Sequence, residues 1–562
     1  MRSAHLLPTV RISFECYEPD VDPFFVAIMR PRPYSVGARD GLRNCNIRGE
    51  ITMDIRRDDT TSSNGYPYDE SLRSDSRQSA SEVSNSNDPL IRSSFNRDIS
   101  QNTLNLSVSS PRHSLLSISL TGVQVDSNIH IGRERFAKVI KTTHAFSNGE
   151  TAVVQTALHT DDEPHTAGGM RIVTRSDGDS LEGDVEGRLR EVGSLSSAMT
   201  YKCDLTGLPC GGQKTVALYT GSLDTLTTES RADLLAQHIT EVVKHAPNTL
   251  FGPDMAVGEE VQDLTVSHYP HLAKNIIGVS EAHGGLSIDK YGYTAQGVKA
   301  AIDFARDSGV LENGRRAVIA GFGAVGAHTA ELLHKDDYPV VAISNRFGTI
   351  HDNGEALPID ALFDVWRVWH EDVESGMVPT VASADEAVVQ KAKELGLLVK
   401  TNDTKALLSY EAEILVLAAR TKEIGARQEL EELRKENPES VLIESVFENS
   451  SLRVIAEGAN APLGELAEEE AMAKGVTILP DTAINGGGVK GCYEGWRYRT
   501  QQGDKAAQQD PVEYRQEMFR EIHEQVRTNL SEIHEQLQVR GGKLREAMLL
   551  VAQRRSSGGN YS

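Results

Sequence analysis

The chain has 562 residues, with 58 Lys+Arg against 81 Asp+Glu, five Cys and 39% apolar residues, for a formal charge of −23. That balance argues against a general nucleic-acid binder, which needs clustered Lys and Arg against phosphates. Scattered cysteines with no C-x-x-C pair argue against a disulfide scaffold or zinc module, and no 18-residue apolar run is present to span a membrane.

Roughly 150 residues per domain allows two to four domains. No lysine precedes Lys138, and residues 1–112 hold 14 Arg and 15 acidic residues, so the charge excess lies later in the chain. From Thr61 to Leu120, 18 of 60 residues are Ser. Such a stretch buries too little apolar surface to offset its ordering entropy, so about 55–115 is expected to be disordered. The opening MRSAHLLPTVRISFECYEPD reads as an irregular or mispredicted start, with an organellar transit peptide as the alternative. The expected location is accordingly cytoplasmic, with a mitochondrial one as the alternative. Leu115–Ser119 and Val123–Val125 read as a short strand leading into a folded part that begins near Ile129.

Next come Ser197-Ala-Met-Thr-Tyr-Lys202 and Leu208-Pro-Cys-Gly-Gly-Gln-Lys214, then Phe251-Gly-Pro-Asp254. A lysine held beside a glycine turn in a cleft has its pKa lowered by desolvation and by a cationic neighbour, as a general acid/base near neutral pH requires. A carboxylate facing the same pocket could shuttle a proton to an amine. Two solvated surface lysines are the plainer alternative, and the residues taken singly leave both readings open.

At Arg316 the chain reads RRAVIAGFGAVGAHTAELLHK, then PVVAISNRFGTI. Ala317–Ala320 is expected as a buried strand, Gly321-Phe322-Gly323-Ala324-Val325-Gly326 as a dinucleotide-type turn and Ala327–His334 as a helix. Gly321 permits the tight turn, Gly323 lets backbone approach a pyrophosphate, and Gly326 lets the helix pack close, its N-terminus offering free N–H groups. After the second strand, Val340–Ile343, the usual acid for a ribose 2′-hydroxyl is missing. Ser344-Asn345-Arg346 stands there, which leans toward NADP or dual use, unless Arg346 simply faces solvent. Near the C-terminus Met518, Ile522, Val526, Leu530, Ile533 and Leu537 form one apolar helical stripe, ended by Gly541-Gly542 and followed by a last helix over Lys543–Arg555. The spacing of His144, His159 and His165 does not suit a metal, and none is expected.

Taken in order, Gly168-Gly-Met-Arg171, Met199-Thr-Tyr-Lys202, Gly211-Gly-Gln-Lys214, Gly252-Pro-Asp254, Thr294-Ala-Gln-Gly297, the glycine turn, Ala456-Glu-Gly-Ala-Asn460 and Pro480-Asp-Thr-Ala-Ile-Asn485 resemble the glutamate/leucine/phenylalanine/valine dehydrogenase family over residues 130–500. The resemblance implies an NAD- or NADP-dependent oxidoreductase that reversibly deaminates an L-amino acid to its 2-oxo acid and ammonia, usually as a homo-oligomer. It places Lys202 on the substrate α-carboxylate, Lys214 as the catalytic lysine and Asp254 as the proton relay. Thr294, Asn460 and Asn485 then face the cofactor with Gly321–Gly326, Asn345 and Arg346.

Substrate-binding positions by the same resemblance are Ala167, Gly168, Gly169 and Cys492. Glutamate dehydrogenases place a lysine at the position of Ala167 and a serine at that of Cys492. An alanine cannot pair with a γ-carboxylate, and burying one unpaired costs several kcal/mol. The substrate is therefore expected to be apolar, leucine-, valine- or phenylalanine-like. One alternative is a glutamate dehydrogenase with an altered carboxylate site, in which Lys490 could supply the cation. The other readings are a catalytically silent nucleotide-binding or scaffolding relative and a different Rossmann-type oxidoreductase.

The expected architecture is α/β, two domains with a cleft between them. An extension over 1–128 precedes a substrate-binding domain over 129–290, completed by C-terminal helices over 481–555; a Rossmann-type dinucleotide domain occupies 291–480.

Overall fold

The computed structural model describes residues 116–556, apart from short stretches at 133, 161–162, 176–179, 313, 375–376, 378–380, 450 and 501–509. The expected disorder over 55–115 lies outside the described residues.

The first half builds a mixed sheet. Strands β1 (Ile118–Ile131), β2 (Glu134–Phe146), β3 (Thr151–Leu158) and β4 (His165–Thr174) are followed by helix α1 (Leu181–Thr206), β5 (Cys210–Tyr219), helix α2 (Thr228–His245) and β6 (Thr249–Gly252). The strand order is β1-β2-β3-β5-β4-β6. The first three pairings are antiparallel, and β4 runs parallel to both β5 and β6. Every residue of β5 is buried, as expected of a central strand covered on both faces. Helix α1 starts where Ser180 accepts a hydrogen bond from the Gly183 N–H and stops at Gly207 in the left-handed region.

The short lead-in strand expected over Leu115–Ser119 and Val123–Val125 is one long strand of the folded part itself. β1 runs through Ile129, pairing with β2 from Ile118 opposite Phe146 to Ile131 opposite Glu134. This edge strand is only half-buried. Its order comes from β2 and from α2, where Gln237 Nε2 donates to the Ile118 carbonyl at 3.1 Å, so its own apolar pattern discloses only part of its length.

Helices α3 (Glu259–His268) and α4 (Tyr293–Asp307) lead to the second sheet. It is built from β7 (Ala317–Ala320), α5 (Ala324–Lys335), β8 (Val340–Asn345), β9 (Gly348–His351), α6 (Ile359–Glu374), α7 (Ala384–Glu394), β10 (Leu398–Thr401) and β11 (Ile414–Leu417). The chain goes on through β12 (Ile424–Gly425), α8 (Leu430–Glu436), β13 (Val441–Leu442), α9 (Ile443–Val446), β14 (Val454–Glu457), α10 (Glu465–Ala473) and β15 (Thr477–Leu479). The order is β10-β9-β8-β7-β11-β14-β15, with β12 and β13 forming a separate pair. From β8 to β15 all neighbours are parallel, while β9 and β10 add an antiparallel edge. β7 is the predicted strand, and the predicted helix starts slightly earlier, at Ala324.

The chain ends with α11 (Asp481–Ile484), α12 (Gly487–Arg499), α13 (Pro511–Arg540) and α14 (Leu544–Ser556). Met518, Ile522, Val526, Leu530 and Ile533 of α13 are buried in the apolar cluster that also holds the second sheet, α4 and Leu205 of α1. The C-terminal helices therefore pack on α1 and on α4 together. Among the described residues, no helix is long and apolar enough to cross a membrane.

Candidate active site

Alternation along β4 and β5 sorts the site. On β4, Ala167, Gly169 and Arg171 share one face; on β5, Gly212 and Lys214 lie on that same face of the sheet, with Gln213 and Thr215 opposite. A Cβ at Gly212 would lie 2.1 Å from the Ser196 carbonyl, so α1 lies almost directly on the strand. A Cβ at Gly169 would lie 2.9 Å from Asp254 Cβ and 3.2 Å from Lys214 Nζ, so this glycine leaves room for an ion pair. Lys214 Nζ sits 2.5 Å from Asp254 Oδ2, with the two side chains 10% and 15% exposed. Arg171 Nε also reaches Asp254 Oδ2 at 3.0 Å, and its Nη1 reaches Glu191 Oε1 at 3.0 Å.

Burial pulls the Lys214 ammonium below its ordinary pKa, with the Asp254 carboxylate opposing and Arg171 reinforcing the shift. Burial alone would push the Asp254 carboxyl up, but Lys214 and Arg171 outweigh it and hold it well below the usual carboxylate range. A buried amine hydrogen-bonded to an ionised carboxylate is a pair that can exchange protons with a bound molecule. Arg171 was legible in the motif but not as Asp254's second partner. Its place two residues after Gly169, on the same strand face, was the available signal.

Lys202, on α1, reaches the loop that follows β14. Its Nζ donates to Asn460 Oδ1 at 2.9 Å, and Asn485 Nδ2 donates to the same oxygen at 3.1 Å. Burial lowers the Lys202 pKa, with Asp481 opposing and Lys214 adding to the fall. The two asparagine loops are held from behind by Arg545 of α14, which sequence reasoning missed. Arg545 pairs with Glu457 at 2.8 Å, with Glu468 at 2.5 Å and with Asp481. Asp481 in turn accepts from the Ala461 N–H at 2.8 Å, and its own N–H donates to Glu457 Oε2 at 2.9 Å.

A separate cavity of about 270 Å³ opens at the ends of β7, β8 and β11. Gly321, Phe322, Gly323, Asn345 and Arg346 all line it. Gly321 has φ +92°, a turn conformation only glycine adopts freely. Phe322 is buried, so it offers backbone alone. A Cβ at Gly326 would lie 1.9 Å from the Gly321 carbonyl, while Gly323 faces open space and the N-terminus of α5 behind it has no side-chain cap. Ala324 and Val325 form that first turn. A phosphate-bearing dinucleotide suits this turn. Outside that cavity, Asn485 Oδ1 is buried without a hydrogen-bond partner, an open acceptor. Thr294 stands at the start of α4 against Gly488.

Ala167 and Cys492 fall in one apolar cluster with Leu208, Leu250, Ile277 and Trp496. Gly168 is packed against β5, where a Cβ would lie 1.8 Å from the Gln213 carbonyl. Lys490 does not reach toward Cys492 as the alternative reading required. It pairs with Glu521 of α13 at 2.7 Å, because residues two apart on α12 point to opposite sides of the helix. The three histidines go separate ways: His159 Nδ1 contacts Thr200 Oγ1 at 2.8 Å, His165 meets Trp496 edge-on, and His144 joins a buried chain. In that chain His144, Thr142, His238, Thr156 and Thr215 are linked by contacts of 2.7, 2.7, 2.6 and 2.6 Å. It ends where Thr215 donates to Gln213 Oε1 at 3.2 Å, and Gln213 Nε2 donates to the Gly168 and Leu250 carbonyls at 2.6 and 3.1 Å.

A mixed sheet with a buried lysine–carboxylate pair, beside a largely parallel sheet with a glycine turn, defines a two-domain α/β class of protein. The chain belongs to the glutamate/leucine/phenylalanine/valine dehydrogenase family: residues 284–557 match the model of that name, and residues 138–271 match that of the Glu/Leu/Phe/Val dehydrogenase dimerisation domain. It is similar to the NADP-specific glutamate dehydrogenase of Synechocystis sp., 26% identical over 54% of this chain and 65% of that protein. It is also similar to the glutamate dehydrogenase of Aeropyrum pernix, 28% identical over 54% and 64%. The match thus spans under two thirds of either relative. In fold it is similar to the hetero-hexameric glutamate dehydrogenase of Thermus thermophilus, with a TM-score of 0.52 at 20% identity over 74% of this chain and 88% of that one. The Plasmodium falciparum glutamate dehydrogenase gives 0.54 at 15% identity, over 74% and 82%.

Proposed function

We propose that the chain catalyses the reversible NAD- or NADP-dependent oxidative deamination of an L-amino acid to its 2-oxo acid and ammonia. The observation that carries this reading is the buried 2.5 Å Lys214–Asp254 pair, with Lys202 on the facing helix. When bound, the dinucleotide accepts the hydride from the substrate α-carbon. Lys202 has ammonium protons beyond the one given to Asn460 and holds the α-carboxylate with them. Lys214, biased toward its neutral amine by burial, takes a proton from the water that adds to the imine carbon. Asp254, ionised beside Lys214 and Arg171, takes a proton from the substrate ammonium as the imine forms and returns it to the departing nitrogen, and ammonia leaves as the carbonyl forms. Gly321, Gly323 and the α5 N-terminus would hold the dinucleotide's pyrophosphate, and Asn485 and Thr294 would face its nicotinamide.

The proposed substrate is a non-acidic amino acid. Ala167 and Cys492 sit among apolar side chains, and the nearby Lys490 is engaged by Glu521, so a side-chain carboxylate there would be buried without a cation. The second reading, glutamate, is favoured by the names of the relatives. Self-assembly is also proposed, supported by the match of 138–271 to a dimerisation domain; light scattering on the purified protein, giving the mass of a single chain, would refute it.

The test of the activity is NAD(P)H formation over an amino-acid panel, with the native chain and Lys214→Ala. An apolar amino acid is expected to give the highest kcat/KM, and the variant to lose about 10³-fold or more. Glutamate as the best substrate would overturn the substrate proposal. Equal rates in both proteins would overturn the mechanism, and cofactor binding without turnover on any substrate would overturn the activity.

A further inference from the structure

The end of β8 lacks the acid that normally takes a ribose 2′-hydroxyl, yet a carboxylate is there. Asp385, the second residue of α7, lines the same cavity as Gly321, Gly323, Ser344 and Arg346. Its Oδ2 lies 3.2 Å from Arg346 Nε; the Asp385 side chain is 27% exposed and that of Arg346 56%. Asn345 fixes the arrangement from both sides. Its Nδ2 donates to the Asp385 backbone carbonyl at 3.0 Å, and its Oδ1 accepts from the Phe347 N–H at 3.0 Å. Ser383 caps α7 by accepting from the Glu386 N–H, so the first turn carrying Asp385 is itself anchored. The cavity's other arginine, Arg420, is engaged by Glu439 at 2.6 Å.

The charge balance at Arg346 therefore differs from that of an arginine standing alone, with Lys405 a further cation in the same lining. Burial raises the Asp385 carboxyl's pKa, with Arg346 opposing; a carboxylate in that position gains from any further hydrogen-bond donor. A ribose hydroxyl is such a donor and leaves the Arg346 pair intact. A 2′-phosphate brings a dianion against the carboxylate and has to compete with it for the guanidinium.

We infer that Asp385 is the specificity-determining carboxylate of the cofactor pocket: it supplies from a separate helix the acid that β8 lacks, and by holding Arg346 it favours a 2′-hydroxyl over a 2′-phosphate. This rests on the reading of the cavity as the NAD(P) site, and it reverses the lean toward NADP drawn from Arg346 alone.

The test is equilibrium binding of NADH and NADPH to the full chain, followed by nicotinamide fluorescence with no amino acid present. The native protein is expected to bind NADH more tightly than NADPH. Asp385→Asn and, as a second variant, Asp385→Ser are each expected to move the Kd ratio toward NADPH by about ten-fold or more, and Arg346→Gln to move it the other way. A ratio unchanged within about two-fold in both Asp385 variants, or a native preference for NADPH, would overturn the inference while leaving the cofactor site standing. Failure of the native chain to bind either dinucleotide would overturn the site itself.

Discussion

Asp254 holds two cations at once, and the signs of the shifts set the pH behaviour. Its pKa is depressed from 3.8, so its ion pairs stabilise the fold at all pH above the ordinary carboxylate range and fail only as pH falls through the depressed value. Lys214 is lowered from 10.5; keeping it charged costs most at low pH, and that cost is relieved as pH rises. Asp254→Asn is expected to reduce kcat by about 10²–10⁴ and to move the acidic limb of kcat/KM to lower pH, since Lys214 loses the carboxylate that raises it. Arg171→Gln is expected to move that limb the opposite way. Limbs shifting together would contradict the pairing, and both variants are read from one pH–rate series. Glu423 is a different case. Burial pushes its carboxyl up from 4.5 to about 8, and its Oε2 has no hydrogen-bond partner. A raised carboxylate pKa costs stability progressively as pH climbs through that interval. The Tm advantage of Glu423→Gln over the native chain is therefore expected to grow from about pH 5 to about pH 9, and a difference independent of pH would refute this.

Helix α1 owes its position to a glycine, and the asparagine loops owe theirs to an arginine. In Gly212→Ala the new methyl would fall 2.1 Å from the Ser196 carbonyl and 2.3 Å from the Thr200 nitrogen. The helix must lift, at about 1–3 kcal/mol, and Lys202 lifts with it. Denaturant unfolding should register the loss and the amino-acid KM should rise; an unchanged KM would separate α1 from substrate binding. Arg545→Ala would leave Glu457, Glu468 and Asp481 buried without their cation. That is expected to cost about 3–5 kcal/mol, with partial recovery in the double variant carrying Glu457→Gln; additive losses would argue against one shared cluster. The sequence disclosed these elements unevenly. The glycine turn, Lys202, Lys214 and Asp254 were legible because each sits in a short local motif. Arg545 is separated from Glu457 by 88 residues and Asp385 from Arg346 by a strand, two turns and α6, so no local pattern ties either residue to its partner. β1 was legible only as a short lead-in strand, because its full length is held by pairing with β2.

At the scale of the whole molecule, one hydrogen bond joins the side that would hold the amino acid to the side that would hold the cofactor. Lys202 belongs to α1 over the first sheet, and Asn460 follows β14 of the second. Lys202→Ala is expected to raise the amino-acid KM with little change in dinucleotide Kd, whereas Asn460→Ala is expected to raise both. Equal effects on the two ligands from Lys202→Ala would place the lysine elsewhere in the cycle. A second long-range link runs from the Gly168 and Leu250 carbonyls out through the far face of β5. Because Gln213 Nε2 donates to two backbone carbonyls, its Oε1 is left as an acceptor, and Thr215 has to give it a proton. Each hydroxyl has one proton to give, so direction passes down the line: Thr156 donates to Thr215, His238 Nε2–H to Thr156, Thr142 to His238 Nδ1, and His144 Nε2–H to Thr142. Burial lowers both imidazole pKa values and keeps the rings neutral, so each must be the Nε2–H tautomer, and ¹⁵N chemical shifts would read this out. The Gly168 and Leu250 carbonyls thereby choose which nitrogen of His144 carries hydrogen. At its outer end the choice meets a mismatch: the His144 Nδ1 lone pair faces Gln237 Oε1 at 3.4 Å, two acceptors turned toward each other.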